Sequence, residues 1–397
     1  MSFCNEAVWG ELAEHARLPF EQACMLPPAA YTSTDVLAEE HRRIFSNEWM
    51  CIGRTADLPN KGDYLTAEIP SDDPTQPGAH RSVVAIRDDA GTIAVFDNVC
   101  AHRGSPLLEG CGNEARITCP YHAWVYRLDG QLIGAPYMNR TVDSIGKAFD
   151  ASDHHLATLR LEEWEGFLFV SQNSDTSELG PRLAPLSDVV GRYRMADYVP
   201  VHRQVDVWET NWKLLFENFM DAYHVFKVHK NSFAKNGDNT PLTTMHAGDD
   251  HCAYHRVGHD PNATSGVAHP DNTSLDGDWR RTIVLGAVFP THVMQLQPDW
   301  LWYLQLSPLG VDRVRIRWDV SVAPEVLADQ PDTDAYVTKL LDLLNLVNAE
   351  DRPIVEGVFR GVHRASLTRG PLSYLERNVY DFDRYIARAL TSEREPG

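Results

Sequence analysis

The sequence predicts an α+β protein of two domains, a small all-β one followed by an antiparallel sheet covered by helices. Three observations carry this expectation. The chain has 397 residues, more than a single core usually organises. Residues 41–170 are dense in short β-prone runs and turn signals. Beyond them, strand-like runs lie between two long helical patterns, which suits helices packed on an antiparallel sheet.

The elements follow in order. Residues 1–40 read as an N-terminal helical segment that packs on the second domain. Val36, Leu37, Ile44, Phe45 and Trp49 make an apolar face, predicting an amphipathic helix over 33–49. Ser82–Arg87 and Thr92–Phe96 flank the turn Asp88–Gly91, a hairpin pattern. Asp129-Gly130, between Trp124–Leu128 and Gln131–Ile133, is a stronger one. Trp164–Val170 reads as one further strand, and a polar stretch over 171–181 ends the β-rich block. In the second domain, 171–397, Thr210–His229 and Thr333–Arg364 read as helices. Arg281–Phe289, Trp300–Leu306 and Val314–Val322 read as strands. Residues 234–279, polar and rich in Gly, Asn, Asp and His, read as a long loop of the lid or binding kind.

Composition narrows the function classes. With 43% hydrophobic and 23% charged residues the chain is an ordinary globular protein. A formal charge of −20 opposes nucleic acid or an anionic membrane as partner. No apolar run approaches the ~20 residues of a membrane span. The first eighteen residues carry Glu6, Glu11, Glu14 and Arg17, which is not a signal-peptide pattern. Seven scattered cysteines are a poor disulfide framework, so a reducing cytoplasm is expected, with some thiols left for metal work.

The first chemical signal is Cys100-Ala-His102 followed by Cys119-Pro-Tyr-His122. Two mixed Cys/His pairs are what a Rieske [2Fe–2S] centre requires: one iron takes two thiolates, the other two imidazoles. A Cys2His2 zinc site uses the same residue types, but zinc fingers group ligands by kind instead of mixing them. The second signal is Asp221, His224 and His229. Asp221 and His224 share a helical face, whereas His224 and His229 would be splayed by roughly 140° on an ideal helix. Both histidines reach one metal only if the helix ends or bulges between them. Two histidines and a carboxylate with open positions form the facial triad of O2-activating Fe(II) enzymes.

Cys100-Ala-His102-Arg-Gly104 and Cys119-Pro-Tyr-His122-Ala-Trp124 resemble the Rieske domain of aromatic-ring-hydroxylating oxygenases. Asn218-Phe-Met-Asp221-Ala-Tyr-His224 with His229 resembles the iron-binding stretch of their alpha subunits, so the resemblance covers both domains. It implies a catalytic domain of helix-grip type. Respiratory Rieske proteins join the two loops by a disulfide; the matching positions here are Ser105 and Tyr121, and Cys111 reads as structural. Composition cannot choose the third iron ligand. The run from Asn348 to Gly361 resembles the family's closing helix, which implies Asp351 as the carboxylate, with Glu350 as fallback. Solvated helix charges are the plainer reading of both. The resemblance further implies O2 as co-substrate and electrons from NAD(P)H through a reductase, with or without a ferredoxin. It implies a homotrimeric ring in which Asp221 bridges a cluster histidine of one subunit and an iron histidine of the next.

The expected reaction is hydroxylation of a small organic substrate, aromatic-ring hydroxylation or a related oxidation. The alternative is N-demethylation or hydroxylation of a quaternary ammonium or betaine-type compound, because the Asn218–Asp221 spacing and closing helix are also similar to the choline, betaine and carnitine branch. Trp208, Trp212, Trp300, Trp302 and Tyr303 are candidates for an aromatic cage, with plain core packing as the other reading. His251, His255 and His259 fall in the long loop as surface or substrate-facing groups. A Rieske electron carrier without oxygenase activity, and a zinc-stabilised binding protein, are the readings from other classes.

Overall fold

The computed structural model describes residues 4–73, 75–138, 149–235, 240–258, 266–364 and 366–392. The chain opens with α1 (Cys4–His15), α2 (Pro28–Thr32) and α3 (Thr34–Glu40). Ser33 Oγ accepts the Val36 N–H and starts α3, which widens into a π-helical turn over His41–Phe45. The helix expected over 33–49 therefore stops before Trp49.

The β-rich block holds β1 (Met50–Arg54), β2 (Asp63–Pro70), β3 (His80–Arg87), β4 (Ile93–Asp97), β5 (Cys111–Asn113), β6 (Ile117–Thr118), β7 (Val125–Tyr126), β8 (Leu132–Gly134), β9 (Arg160–Trp164) and β10 (Phe167–Ser171). They make sheets of order β4-β3-β2-β5, β6-β7-β8 and β1-β10-β9. Both expected hairpins are present, β3/β4 and β7/β8. The single strand expected at Trp164–Val170 is instead two strands, turned at Glu165 (φ 48°) and Gly166 (φ 81°).

The second part holds α4 (Leu179–Val190), β11 (Val199–Trp208), α5 (Trp212–Met220), α6 (Val225–Val228), β12 (Thr243–Met245), β13 (Cys252–Gly258), β14 (Thr282–Val288), β15 (His292–Leu296), β16 (Trp300–Pro308), β17 (Val314–Val322), α7 (Pro324–Ala328), α8 (Thr333–Val362) and α9 (Arg377–Thr391). Its sheet is antiparallel, of order β11-β17-β16-β15-β14-β13-β12. The expected long loop thus supplies two strands of this sheet. His255-Arg256 and the terminal glycine hide β13 from a reading by apolar alternation. His259 lies outside the described residues.

Alternation assigns the sheet's faces. Leu285, Gln295 and Trp302 share one face with α5, where Phe219 sits 5.4 Å from Trp302 between ring centroids. On the opposite face Tyr303 and His292 meet Phe167 of β10, at 4.9 and 4.6 Å. One continuous core therefore runs from the N-terminal helices through β1 and β10 into the large sheet. Polar links cross the same junction. Arg317 donates to the Ile52 carbonyl, Arg54 donates to Ser321 Oγ at 2.8 Å, and Arg203 bridges Asp57 and Asp319. A smaller core surrounds Cys100, Cys119 and Trp124. Among the described residues no helix is long and apolar enough to cross a membrane.

Candidate metal centres

Cys100 and His102 follow β4; Cys119 and His122 sit between β6 and β7. The two loops fold alike. In the first, Cys100 N donates to Ser105 O and Gly104 N donates to Cys100 O. In the second, Cys119 N donates to Trp124 O and Ala123 N donates to Cys119 O. The fifth residue of each loop has positive φ, 71° at Gly104 and 55° at Ala123. For an alanine that conformation is strained by about 1 kcal/mol, which the loop's hydrogen bonds offset.

The loops present thiols inward and imidazoles outward. Cys100 and Cys119 are 3% and 2% exposed, and their core neighbour Tyr126 places its hydroxyl 3.2 Å from Cys100 Sγ. The rings of His102 and His122 meet edge-on at 4.7 Å, and His102 stacks on Trp124 at 7°. Burial raises the Cys119 thiol, but the Tyr121 and His122 N–H groups outweigh it and hold it below the ordinary thiol range. Burial and the neighbouring His122 and Arg103 lower His102, favouring neutral imidazole. His102 Nδ1 is buried without a hydrogen-bond partner among the described residues, as a metal-facing nitrogen would be. Two thiolates and two neutral imidazoles from matched loops fit a Rieske cluster. Cys111 is an exposed free thiol on β5, joined to no other cysteine.

The second centre depends on a broken helix. The helix expected over Thr210–His229 stops at Met220, because the Asp221 carboxylate accepts the Tyr223 N–H while its backbone is extended. A single turn, α6, then begins after His224 and ends at His229. The break precedes both histidines, and the short turn between them converges their rings. His224 Nε2 and His229 Nε2 lie 3.2 Å apart, and Asp351 Oδ1 from α8 lies 3.6 and 3.4 Å from them. Three donors about 2.1 Å from one ion, on one octahedral face, stand about 3 Å apart.

The surrounding hydrogen bonds decide the tautomers. His224 Nδ1 donates to Asp221 Oδ2 at 3.1 Å, and His229 Nδ1 donates to Glu350 Oε2 at 2.9 Å. Ser232 and Asn231 N also donate to Glu350, and Asn218 Nδ2 approaches Asp351 at 3.5 Å. Both Nε2 lone pairs therefore face each other and a carboxylate oxygen. A shared cation satisfies all three at once. Burial opposes charge on His224, but the Asp221 and Asp351 carboxylates outweigh it and raise the ring, favouring positive charge there; the residues fit a mononuclear metal. Glu350, the fallback ligand, instead orients His229. Burial raises Asp351, whereas hydrogen bonds from Ser232 and His229 overcome burial and hold Glu350 low.

A cavity of about 140 Å³ opens beside these donors. Phe219, Phe233, Val257, Ile283, Leu285 and Trp302 make it largely apolar, and no Lys or Arg lines it among the described residues. Of the five aromatics considered for a cage, only Trp302 lines it. Trp208 packs beneath Arg352, Trp212 donates to Glu40, Tyr303 meets Phe167, and Trp300 is buried outside the lining. His255 also lines the cavity, whereas His251 does not. Phe219 and Phe233 were not singled out in the sequence, although Phe219 flanks Asn218 within the motif.

Two family models match the chain: the Rieske [2Fe-2S] domain over residues 48–158 and the ring hydroxylating alpha subunit catalytic domain over 195–392. The chain belongs to the Rieske non-haem iron oxygenases, as an alpha subunit. In this family the two centres are a [2Fe–2S] cluster and a mononuclear iron. The glycine betaine monooxygenase oxygenase subunit of Chromohalobacter salexigens is 38% identical over 206 residues, covering 51% of this chain and 43% of that subunit. Thus the match spans less than half of that relative's length; choline and carnitine monooxygenases also stand among the relatives. The salicylate 5-hydroxylase large oxygenase component of Ralstonia sp is 28% identical, covering 94% of this chain and 93% of that one. A solved quaternary ammonium Rieske monooxygenase shares the fold with TM-score 0.78 at 22% identity, covering 94% of this chain and 98% of its own.

Proposed function

We propose that this alpha subunit is the terminal oxygenase of a system that hydroxylates an N-methyl group of a quaternary ammonium or betaine-type compound. The supporting observation is the cavity: aromatic rings and the Asp351 and Asp221 carboxylates line it, and no fixed cation does so among the described residues. An organic cation is favoured there by cation–π attraction to Phe219, Phe233 and Trp302, with no fixed cationic side chain of the described residues to oppose it. The balance is R–CH3 + O2 + 2e⁻ + 2H⁺ → R–CH2OH + H2O; an N-hydroxymethyl product then releases formaldehyde. Electrons would come from NAD(P)H through a reductase, with or without a ferredoxin.

In this reading residues 41–170 form the cluster domain and 171–397 the iron domain, with 1–40 packed on the latter. Cys100, His102, Cys119 and His122 hold the cluster; His224, His229 and Asp351 hold Fe(II). Bound there, iron supplies the open positions at which O2 is reduced. Glu350 fixes the His229 tautomer, and Phe219 with Trp302 holds the substrate's methyl-bearing end in a dry cavity. Asp221, bonded to His224 and near the surface beside the exposed Tyr223 and Phe226, suits a bridge to a neighbouring subunit in a homotrimer. Hydroxylation of an aromatic ring is the second reading, supported by the near-full-length match to a salicylate hydroxylase component.

The test is oxygen uptake by the metal-loaded protein with a reductase and NADH, offered glycine betaine, choline, carnitine or salicylate. The proposal expects uptake matched by formaldehyde with at least one trimethylammonium compound. Uptake with salicylate alone, without formaldehyde, contradicts it.

A further inference from the structure

The cavity has a sheet floor, and its residues fall into two rows set by strand register. His255 pairs with Leu285, Leu285 with Gln295 and Gln295 with Trp302, so these four side chains cross β13, β14, β15 and β16 on one face. Two residues further along, Val257 pairs with Ile283, and Gln297 follows on from β15. All seven line the cavity.

Gln295 and Gln297 stand out among them. Each residue is 5% exposed and lines the cavity, and neither side-chain amide has a hydrogen-bond partner among the described residues; their amide atoms are not sealed in the core but open to the cavity. An amide held at the wall of a largely apolar cavity is free to pair with whatever enters it, and here two stand close together, one on β15 and one just past its end. His255 contributes differently. Asn378 Nδ2 donates to the His246 carbonyl, so Asn378 Oδ1 is the atom facing His255 Nδ1 at 2.9 Å. That Nδ1 therefore carries the proton, and Nε2 presents a lone pair on the ring's free edge. Burial lowers His255 to about 4, so the ring stays neutral.

We infer that Gln295 and Gln297 form an uncharged recognition subsite for an oxygen-bearing end, carboxylate or hydroxyl, of the substrate. This deepens the quaternary ammonium reading and rests on it for the identity of the other end. Two amide N–H donors side by side bind a carboxylate or hydroxyl oxygen without placing a cation where an organic cation must pass. The His255 lone pair, two strand spacings or about 10 Å across the sheet, repels a carboxylate and so keeps that oxygen on the glutamine side. Leu285 and Ile283 lie between and leave the middle of the molecule unbonded.

Calorimetric titration of the metal-loaded protein with glycine betaine, choline and tetramethylammonium tests the subsite. The last has no oxygen. Wild type is expected to bind glycine betaine or choline at least about 10-fold tighter than tetramethylammonium, the worth of one or two hydrogen bonds. Gln295→Leu and Gln297→Leu bring that ratio close to one. Gln297→Glu reverses the glycine betaine ratio, because a carboxylate then repels betaine and attracts the bare cation. A ratio unchanged in both leucine variants overturns the subsite. If wild type binds none of the three, the quaternary ammonium reading fails, and the subsite is read from salicylate against naphthalene in the same variants. A ratio indifferent to the glutamines there overturns it as well.

Discussion

At the scale of single residues, the candidate iron site is a set of lone pairs made to face one another. Asp221 and Glu350 each take the Nδ1 proton of one histidine, and that choice aims both Nε2 atoms at Asp351. The two carboxylates nevertheless differ. Ser232 and Asn231 also bond Glu350, whereas Asp221 lies nearer the surface. If Asp221 couples two subunits, Asp221→Asn keeps both metals and loses turnover by about 10- to 100-fold or more, the usual weight of such outer carboxylates. Metal analysis beside steady-state rates checks this. Retained turnover removes the bridging role, and lost iron makes Asp221 a support of the site instead. Sequence alone displays Asp221, His224 and His229 through spacing, yet it cannot display Gln295, whose neighbours come from three other strands.

At the scale of elements, a buried acid network joins three helices, one of them α5, which leads into the Asp221 break. Tyr31 of α2 donates to Glu217 of α5 at 2.9 Å, and Asp383 of α9 sits against the same carboxylate. Burial pushes Glu217 up to about 8, and burial with Glu217 beside it pushes Asp383 well above the ordinary range. Both are acids raised on folding, so the native state binds more protons than the unfolded chain. Their contribution is full below the ordinary carboxylate pKa, and it is lost as pH rises toward about 8. Glu217→Gln should flatten this dependence. The wild-type thermal midpoint should fall between pH 5 and 8 by about 2–4 °C more than that of the variant. Equal falls would mean that the pair is ionised in the folded protein.

Elements also show where reading the sequence succeeds and why it stops. The long helix over Thr333–Arg364 and the hairpins at Gly91 and Gly130 declare themselves through periodicity and turn residues. The break at Asp221 does not, because Met220-Asp221-Ala222-Tyr223 carries no Gly or Pro and the helix is stopped by a side-chain hydrogen bond. Strand β13 escapes notice because its buried, cavity-facing positions include a histidine, His255, and Arg256 follows it, so no apolar alternation shows. In each case tertiary contacts, not local preference, set the outcome.

At the scale of the molecule, the two candidate centres lie by separate cores of one chain, while the Arg317, Arg203 and Arg54 links tie β1 and the turn after it to the large sheet. Exposed Tyr121 stands beside the cluster loop and exposed Tyr223 and Phe226 beside the iron site, surfaces that suit burial between subunits. A ring in which electrons cross between neighbours makes a specific demand. Cys100→Ser and Asp351→Ala subunits, each inactive alone, should regain part of the wild-type turnover when assembled together. No recovery in verified mixed trimers would confine electron transfer to one chain.

In this protein one chain is expected to carry both a Rieske cluster and a separate mononuclear iron. Iron, zinc and acid-labile sulfide analysis of anaerobically purified, Fe(II)-reconstituted protein, with the spectrum of its reduced form, tests it most directly. About three irons and about two sulfides per chain, with a Rieske-type signal, are expected. Zinc without sulfide, or about two irons with the His224–His229–Asp351 site still empty after reconstitution, would contradict it.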